Sequence, residues 1–269
     1  MSFHFSANYN LTPLSMILKC LPVMLTGLIL VHGLKMMRLY LVLLDEKVEL
    51  LRFILVYLKT TLANLVIPLK LGEIYRVFVL YRLTGDFLTG LFSMIVDRFF
   101  DTLALLMILL PFQLFITGKI TSAAVFLTVF VTIAIFVYFS FGSIYGYLNR
   151  YIIINRTSKR SMSILKALEA ANNVYLRIRK LVSGRYALML LFSFGAWIVE
   201  IFILYLTKTF IGIKSSFAGT FSDYISAILS TKRSFLQTFY TVCSIVFIAV
   251  ALIVMLIVYF APKNGGEKK

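Results

Sequence analysis

Long apolar runs alternate along this chain with short, mostly basic connections. A bilayer-spanning helix takes about 20 predominantly apolar residues, and residues 14–34, 87–116, 121–141, 186–206 and 235–260 qualify. They predict five spans. Between the first two lie a pair of shorter apolar pieces, 53–69 and 74–83, separated by Pro68, Lys70 and Gly72 and flanked by basic residues. Neither covers about 30 Å of hydrocarbon, so the pair predicts a re-entrant helical hairpin. Broken backbone at membrane depth is tolerated only where it is buried in protein or lines a water-filled cavity. The hairpin therefore predicts a cavity at its tip.

A third pattern occupies residues 164–182. Ile164, Leu168, Ala171, Tyr175, Ile178 and Val182 recur at spacings of three and four, opposite Lys166, Arg177, Arg179 and Lys180. That is an amphipathic helix, expected on the inner leaflet or against the bundle. The surrounding segment 142–185 carries nine Lys or Arg and one acid, Glu169, which marks it as cytoplasmic. Lys35 and Arg38, directly after the first run, read as a cytoplasmic flank, so the N-terminus is expected outside. Residues 35–52 then form a charged surface connection. Residues 208–233 are basic and Ser-rich, and are expected outside or partly re-entrant from that side.

Composition agrees: 61% of the 269 residues are hydrophobic and the mean hydropathy is +0.94, against about 45–50% apolar residues in soluble domains. The expected fold is all-α, a polytopic transmembrane bundle forming one domain over residues 1–262, with a flexible cytoplasmic tail at 263–269. The net charge of +16 reports Lys- and Arg-rich loops facing anionic lipid. No basic segment interleaved with aromatics suggests nucleic acid. Cys20 and Cys243 lie in apolar runs as small hydrophobes, and His4 and His32 have no ligand-like cluster around them, so neither a disulfide nor a metal site is expected. No cofactor motif is present.

Against this background the stretch 64–101 stands out. It places Glu73, Arg76, Asp97, Arg98 and Asp101 in apolar surroundings, and Glu200 sits in the middle of a later span. Ionisable groups at membrane depth are rare, and by default they are functional candidates. Asp97 and Asp101, four apart, share a helix face, and Arg98 can pair with Asp101. Arg76 and Arg98 offer planar donor forks suited to phosphate. A purely structural reading pairs Glu73 with Arg76 and Arg98 with Asp101.

The run Asn64-Leu65-Val66-Ile67-Pro68, then Leu71-Gly72-Glu73-Ile74 and Arg76, then Asp97-Arg98 and Asp101-Thr102-Leu103-Ala104, resembles the lysylphosphatidylglycerol synthase transmembrane family, also called flippase-like domain proteins. Trp197, Glu200, Tyr205 and Gly212 resemble the family's later W-x-x-E helix. The likeness covers residues 35–212. It implies a helical membrane fold with re-entrant segments and, for the best-known relatives, movement of a charged phospholipid between leaflets. The family's later P-G-G-x-G segment has no counterpart in residues 215–233, and the chain is expected to begin one span later than typical members.

Resemblance and residues together predict a lipid translocase or lipid-binding transporter of the cell membrane, inner or plasma. Its ligand is a phosphate-containing lipid, with aminoacylated and isoprenoid-linked lipids included. Asn64, Pro68, Gly72, Glu73, Arg76, Asp97, Arg98, Asp101 and Glu200 are the candidate head-group residues, and no catalytic residue is assigned. Two alternatives remain: a polyprenyl-phosphate-dependent glycosyltransferase, which lacks a D-x-D here, and a non-transporting partner of a lipid-modifying enzyme. Candidate protein partners are a lipid- or glycan-modifying enzyme and a second copy of the chain.

Overall fold

The computed structural model describes residues 14–67, 71–118, 120–155, 159–210, 216–229 and 235–260. Pro68, Lys119, Gly212 and the tail 263–269 lie outside the described residues. Among the described residues nine α-helices follow one another: α1 (Leu14–Val42), α2 (Leu50–Val66), α3 (Leu71–Thr84), α4 (Phe87–Phe112), α5 (Ser122–Asn155), α6 (Lys159–Val182), α7 (Tyr186–Phe210), α8 (Phe217–Leu229) and α9 (Phe235–Phe260). No strand occurs among the described residues. Among the described residues five stretches are long and apolar enough to cross a membrane: Cys20–Val42, Phe87–Ile116, Ser122–Ile154, Tyr186–Phe210 and Gln237–Phe260. The protein is a multi-pass helical membrane protein.

Two boundaries differ from expectation. Helix α1 does not end at a basic flank after residue 34; it runs through Lys35 and Arg38 to Val42 and closes with a 3-10 turn at Leu44–Glu46. Apolar side chains resume directly after Arg38, and Leu39, Val42 and Leu43 are fully buried. The other difference is residues 208–233, expected as a basic, Ser-rich segment outside or partly re-entrant from that side, within which the helix α8 forms at Phe217–Leu229. Its Phe221, Tyr224 and Ile225 join a core with Ala104 and Leu109 of α4 and Trp197, Ile201 and Leu204 of α7.

Helices α1 and α7 form the centre. Gly27 of α1 makes room for Ile203 of α7, whose side chain occupies the space a Cβ would need. Helices α2 and α3 pack on each other, and they have 17 and 14 residues. Neither belongs to the five long apolar stretches. At their tip a Cβ on Gly72 would lie 2.6 Å from the Asn64 Cα and 2.8 Å from its backbone nitrogen. Only glycine permits that approach.

Gly85, at φ +74°, reverses the chain between α3 and α4. Asp86 then caps α4: Oδ1 accepts from the Leu88 amide at 3.2 Å and Oδ2 from the Thr89 hydroxyl at 2.9 Å. One of the orphan backbone donors of the helix start is thereby satisfied, and the Thr89 hydroxyl holds the same carboxylate in place. A Cβ on Gly90 would lie 2.8 Å from the Tyr81 nitrogen, so α3 and α4 also touch closely. Past Pro111 the chain widens into a π turn at Gln113–Thr117. The Gln113 side chain clasps Thr121 there, accepting from its amide at 3.1 Å.

At 1.5 Å per residue, the 34 residues of α5 span roughly 50 Å, well beyond about 30 Å of hydrocarbon. Tyr138 and Phe141 on this helix pack against Tyr175 of α6. The apolar stripe of α6 faces α4 in its C-terminal half through Val174, Ile178, Leu181 and Val182, whereas Ile164 is exposed. Its basic side meets acids of the turns: Arg177 pairs with Asp86, Lys180 with Glu46 at 3.1 Å, and Arg185, just past the helix, with Asp45. The α1–α2 and α3–α4 turns therefore share one end of the bundle with α6. The positive-inside rule assigns that end to the cytoplasm.

Candidate functional site

The charged groups of the bundle interior converge on α1. Arg38 lies at the centre: Nε donates to Asp97 Oδ1 at 2.7 Å, and Nη1 donates to Asp101 Oδ1 at 2.7 Å and to the Ser193 hydroxyl at 2.9 Å. One guanidinium thus joins α1 to two turns of α4 and to α7. Ser193 is itself fixed, donating to the Met189 carbonyl at 2.8 Å.

Around this centre the other charges are arranged by depth. Arg76 of α3 approaches the second oxygen of Asp97 at 3.4 Å, and the side chains are 5% and 1% exposed. Arg98 bridges outward, to Glu73 at 2.8 Å and to Asp101 at 3.8 Å. Its side chain is 42% exposed and that of Glu73 is 23% exposed. The cluster is most exposed at Glu73 and Arg98 and most buried at Asp97.

A second lobe continues along the same face of α1. Lys35, one turn before Arg38, pairs with Glu200 at 2.8 Å. The Tyr224 hydroxyl on α8 donates to the other oxygen of Glu200 at 2.6 Å. Trp197 links the lobes: its indole N–H donates to the Asp101 carbonyl at 3.1 Å, and the Lys35 ammonium lies 5.8 Å from its ring centre.

Residues 5–258 match the family model described as lysylphosphatidylglycerol synthase TM region. The chain belongs to the lysylphosphatidylglycerol synthase TM region family. The match extends well beyond the 35–212 expected from the motifs. No curated protein and no solved structure matches the chain. Family membership and the five apolar stretches support a function connected with membrane lipids.

The motif residues of this family member occupy distinct positions. Gly72 and Asn64 set the α2–α3 contact, while Glu73, Arg76, Asp97, Arg98 and Asp101 form one network. Glu200 joins it through Lys35 and Trp197. The expected local pairing of Glu73 with Arg76 does not form; Glu73 turns to Arg98, and Arg76 to Asp97. Arg98 and Asp101 do meet, at the longer 3.8 Å. Sequence reasoning missed Lys35, Arg38, Ser193 and Tyr224. The first two carried a usable signal, since the apolar pattern continues for six residues after Arg38. Acids set in apolar runs also require cations.

Within the described residues no three His, Cys, Asp or Glu side chains form a group that could hold a metal ion. The acids are instead committed to cations, and the network has donors suited to an oxyanion at its Arg76 side.

Proposed function

We propose that this protein binds the phosphate-bearing head group of a membrane lipid at the cluster around Arg76 and moves that lipid between leaflets. The reading rests above all on Arg76. This buried arginine makes one long contact, and its Nε has no hydrogen-bond partner among the described residues. A buried, unmet donor costs about 1–3 kcal/mol, more on a charged group.

The buried hydroxyl of Ser93, also without a partner among the described residues, lies on α4 between Gly90 and Asp97, both of which meet α3. A phosphate oxygen between Arg76 and Ser93 would satisfy both groups, and the guanidinium fork suits phosphate geometry. The more exposed pair Glu73 and Arg98 would form the entrance, with the acyl chains remaining in lipid beside α2 and α3. In this reading α2 and α3 are a hairpin entering from the cytoplasmic end, and aminoacylated or isoprenoid-linked phosphate lipids are included among the ligands.

Reconstitution into liposomes tests transport. Head-group accessibility of labelled phosphatidylglycerol should change faster than in protein-free vesicles, and Arg76→Ala should abolish the difference. Equal rates with and without protein, across anionic and isoprenoid phosphate lipids, would overturn it. The dense pairing around Arg38 supports a second reading, a non-transporting membrane partner of a lipid-modifying enzyme. That reading expects a folded Arg76→Ala protein to retain its partner-dependent effect.

A further inference from the structure

We infer that Glu200 is a proton-binding site that loads when an anionic head group enters the cluster, so that lipid binding is linked to proton uptake. The inference rests on the phosphate-binding reading above and extends it to the second lobe.

Charge balance carries the argument. Lys35, Arg38, Arg76 and Arg98 face Glu73, Asp97, Asp101 and Glu200, four cations against four carboxylates. An arriving phosphodiester adds one negative charge in a medium where uncompensated charge is expensive. One proton on a carboxylate restores neutrality.

The four acids are not equally free to accept it. Asp97 is held by Arg38 and Arg76, and Asp101 by Arg38 and Arg98. Glu73 has the Arg98 fork and the most exposed position of the four. Glu200 is buried, is paired with Lys35 alone, and takes its second contact from a neutral hydroxyl, that of Tyr224. Once protonated it can keep a hydrogen bond with Tyr224, whose oxygen can accept. Lys35 remains in the field of Asp101. The remaining titratable groups near Glu200 are Tyr240 of α9 and, through Lys35, Tyr57 of α2. His32, one turn before Lys35, has a buried Nε2 without a partner among the described residues.

The test is calorimetric titration of short-chain phosphatidylglycerol into the full-length protein in neutral nanodiscs. Measurements are repeated between about pH 5 and 8 in buffers of different ionisation enthalpy, a range that leaves the phosphodiester and ordinary tyrosines untitrated. Uptake approaching one proton per bound lipid is expected, with affinity rising by up to tenfold per pH unit as pH falls. Glu200→Gln should bind with no uptake and no pH slope, at the affinity the wild type reaches at low pH, while His32→Asn should keep the slope. Wild-type binding without uptake would overturn the proton site and leave the phosphate site standing. Slope lost in His32→Asn and kept in Glu200→Gln would overturn it equally. Absence of binding at every pH would overturn the phosphate-binding reading together with this one.

Discussion

Arg38 Nε donates to Asp97 Oδ1 at 2.7 Å, and the two side chains, on α1 and α4, are 3% and 1% exposed. Such a pair gives little net stability relative to an apolar core, but losing one partner strands the other. The cost of a stranded buried charge is about 3–5 kcal/mol. Arg38→Ala should therefore lower the thermal unfolding midpoint in detergent sharply or prevent accumulation of folded protein. Arg38→Lys should recover only part, because one ammonium cannot reproduce the fork to Asp97, Asp101 and Ser193. Wild-type stability in Arg38→Ala would refute the central role of this residue.

Gly72 provides a steric test of the α2–α3 contact. A methyl group there meets Asn64 backbone atoms, which cannot rotate away. Gly72→Ala should destabilise by about 1–3 kcal/mol, and Asn64→Ala should not rescue it, since the Cα and nitrogen remain. Gly33→Ala is the control. Nothing lies within 4 Å of its added Cβ, and alanine favours a helix interior. Its unfolding midpoint should stay level or rise.

The α6 attachment has a pH signature at Asp86. Hydrogen bonding from Thr89, and then from Arg177 and the Leu88 amide, holds this carboxyl below its ordinary range. A depressed value means that its contribution is present above the unfolded-state value and disappears as pH falls through the folded one. The carboxylate is partly exposed, so the effect is small. Hydrogen-exchange protection over residues 159–182, taken relative to the intrinsic amide rate at each pH, should fall only on acidification below the usual carboxylate range, and Asp86→Asn should show the lowered protection at neutral pH. Equal exchange in both proteins at neutral pH would show that Asp86 does not hold α6.

Arg98 and Arg76 should separate entrance from binding site. Arg98 is substantially exposed and pairs with Glu73, so Arg98→Ala should lower the rate of lipid entry more than equilibrium affinity, measured by stopped-flow mixing with short-chain phosphatidylglycerol. Arg76→Ala should instead reduce affinity by tenfold or more, in line with about 1.5–3 kcal/mol for a charged hydrogen bond. Reversal of these two effects would place the phosphate at Arg98.

The apolar pattern carried the spans because hydrophobic length is a property of the chain itself. The charged stretch 64–101 carried most of one face of the cluster for the same reason: acids and arginines in apolar runs announce themselves. What the pattern hid was partnership. Lys35 and Arg38 look alike as a flank or as buried ion-pair partners, and only the packing of α4 and α7 against α1 decides between these. Tyr224 was hidden because its polarity is one hydroxyl on an otherwise apolar face, and its target, Glu200, lies 24 residues earlier. The short ion pair expected within α3, Glu73 with Arg76, gave way to cross-helix pairs, in which Arg76 meets the more deeply buried Asp97 and Glu73 meets Arg98.

Phosphorus retained by the purified protein tests the Arg76 site most directly. Arg76→Ala leaves Asp97 paired with Arg38, so the variant should fold. Wild-type protein washed extensively in detergent should hold close to one lipid phosphate per chain by native mass spectrometry, and a folded Arg76→Ala protein should hold little or none. Equal retention by both proteins would contradict lipid phosphate binding at this arginine.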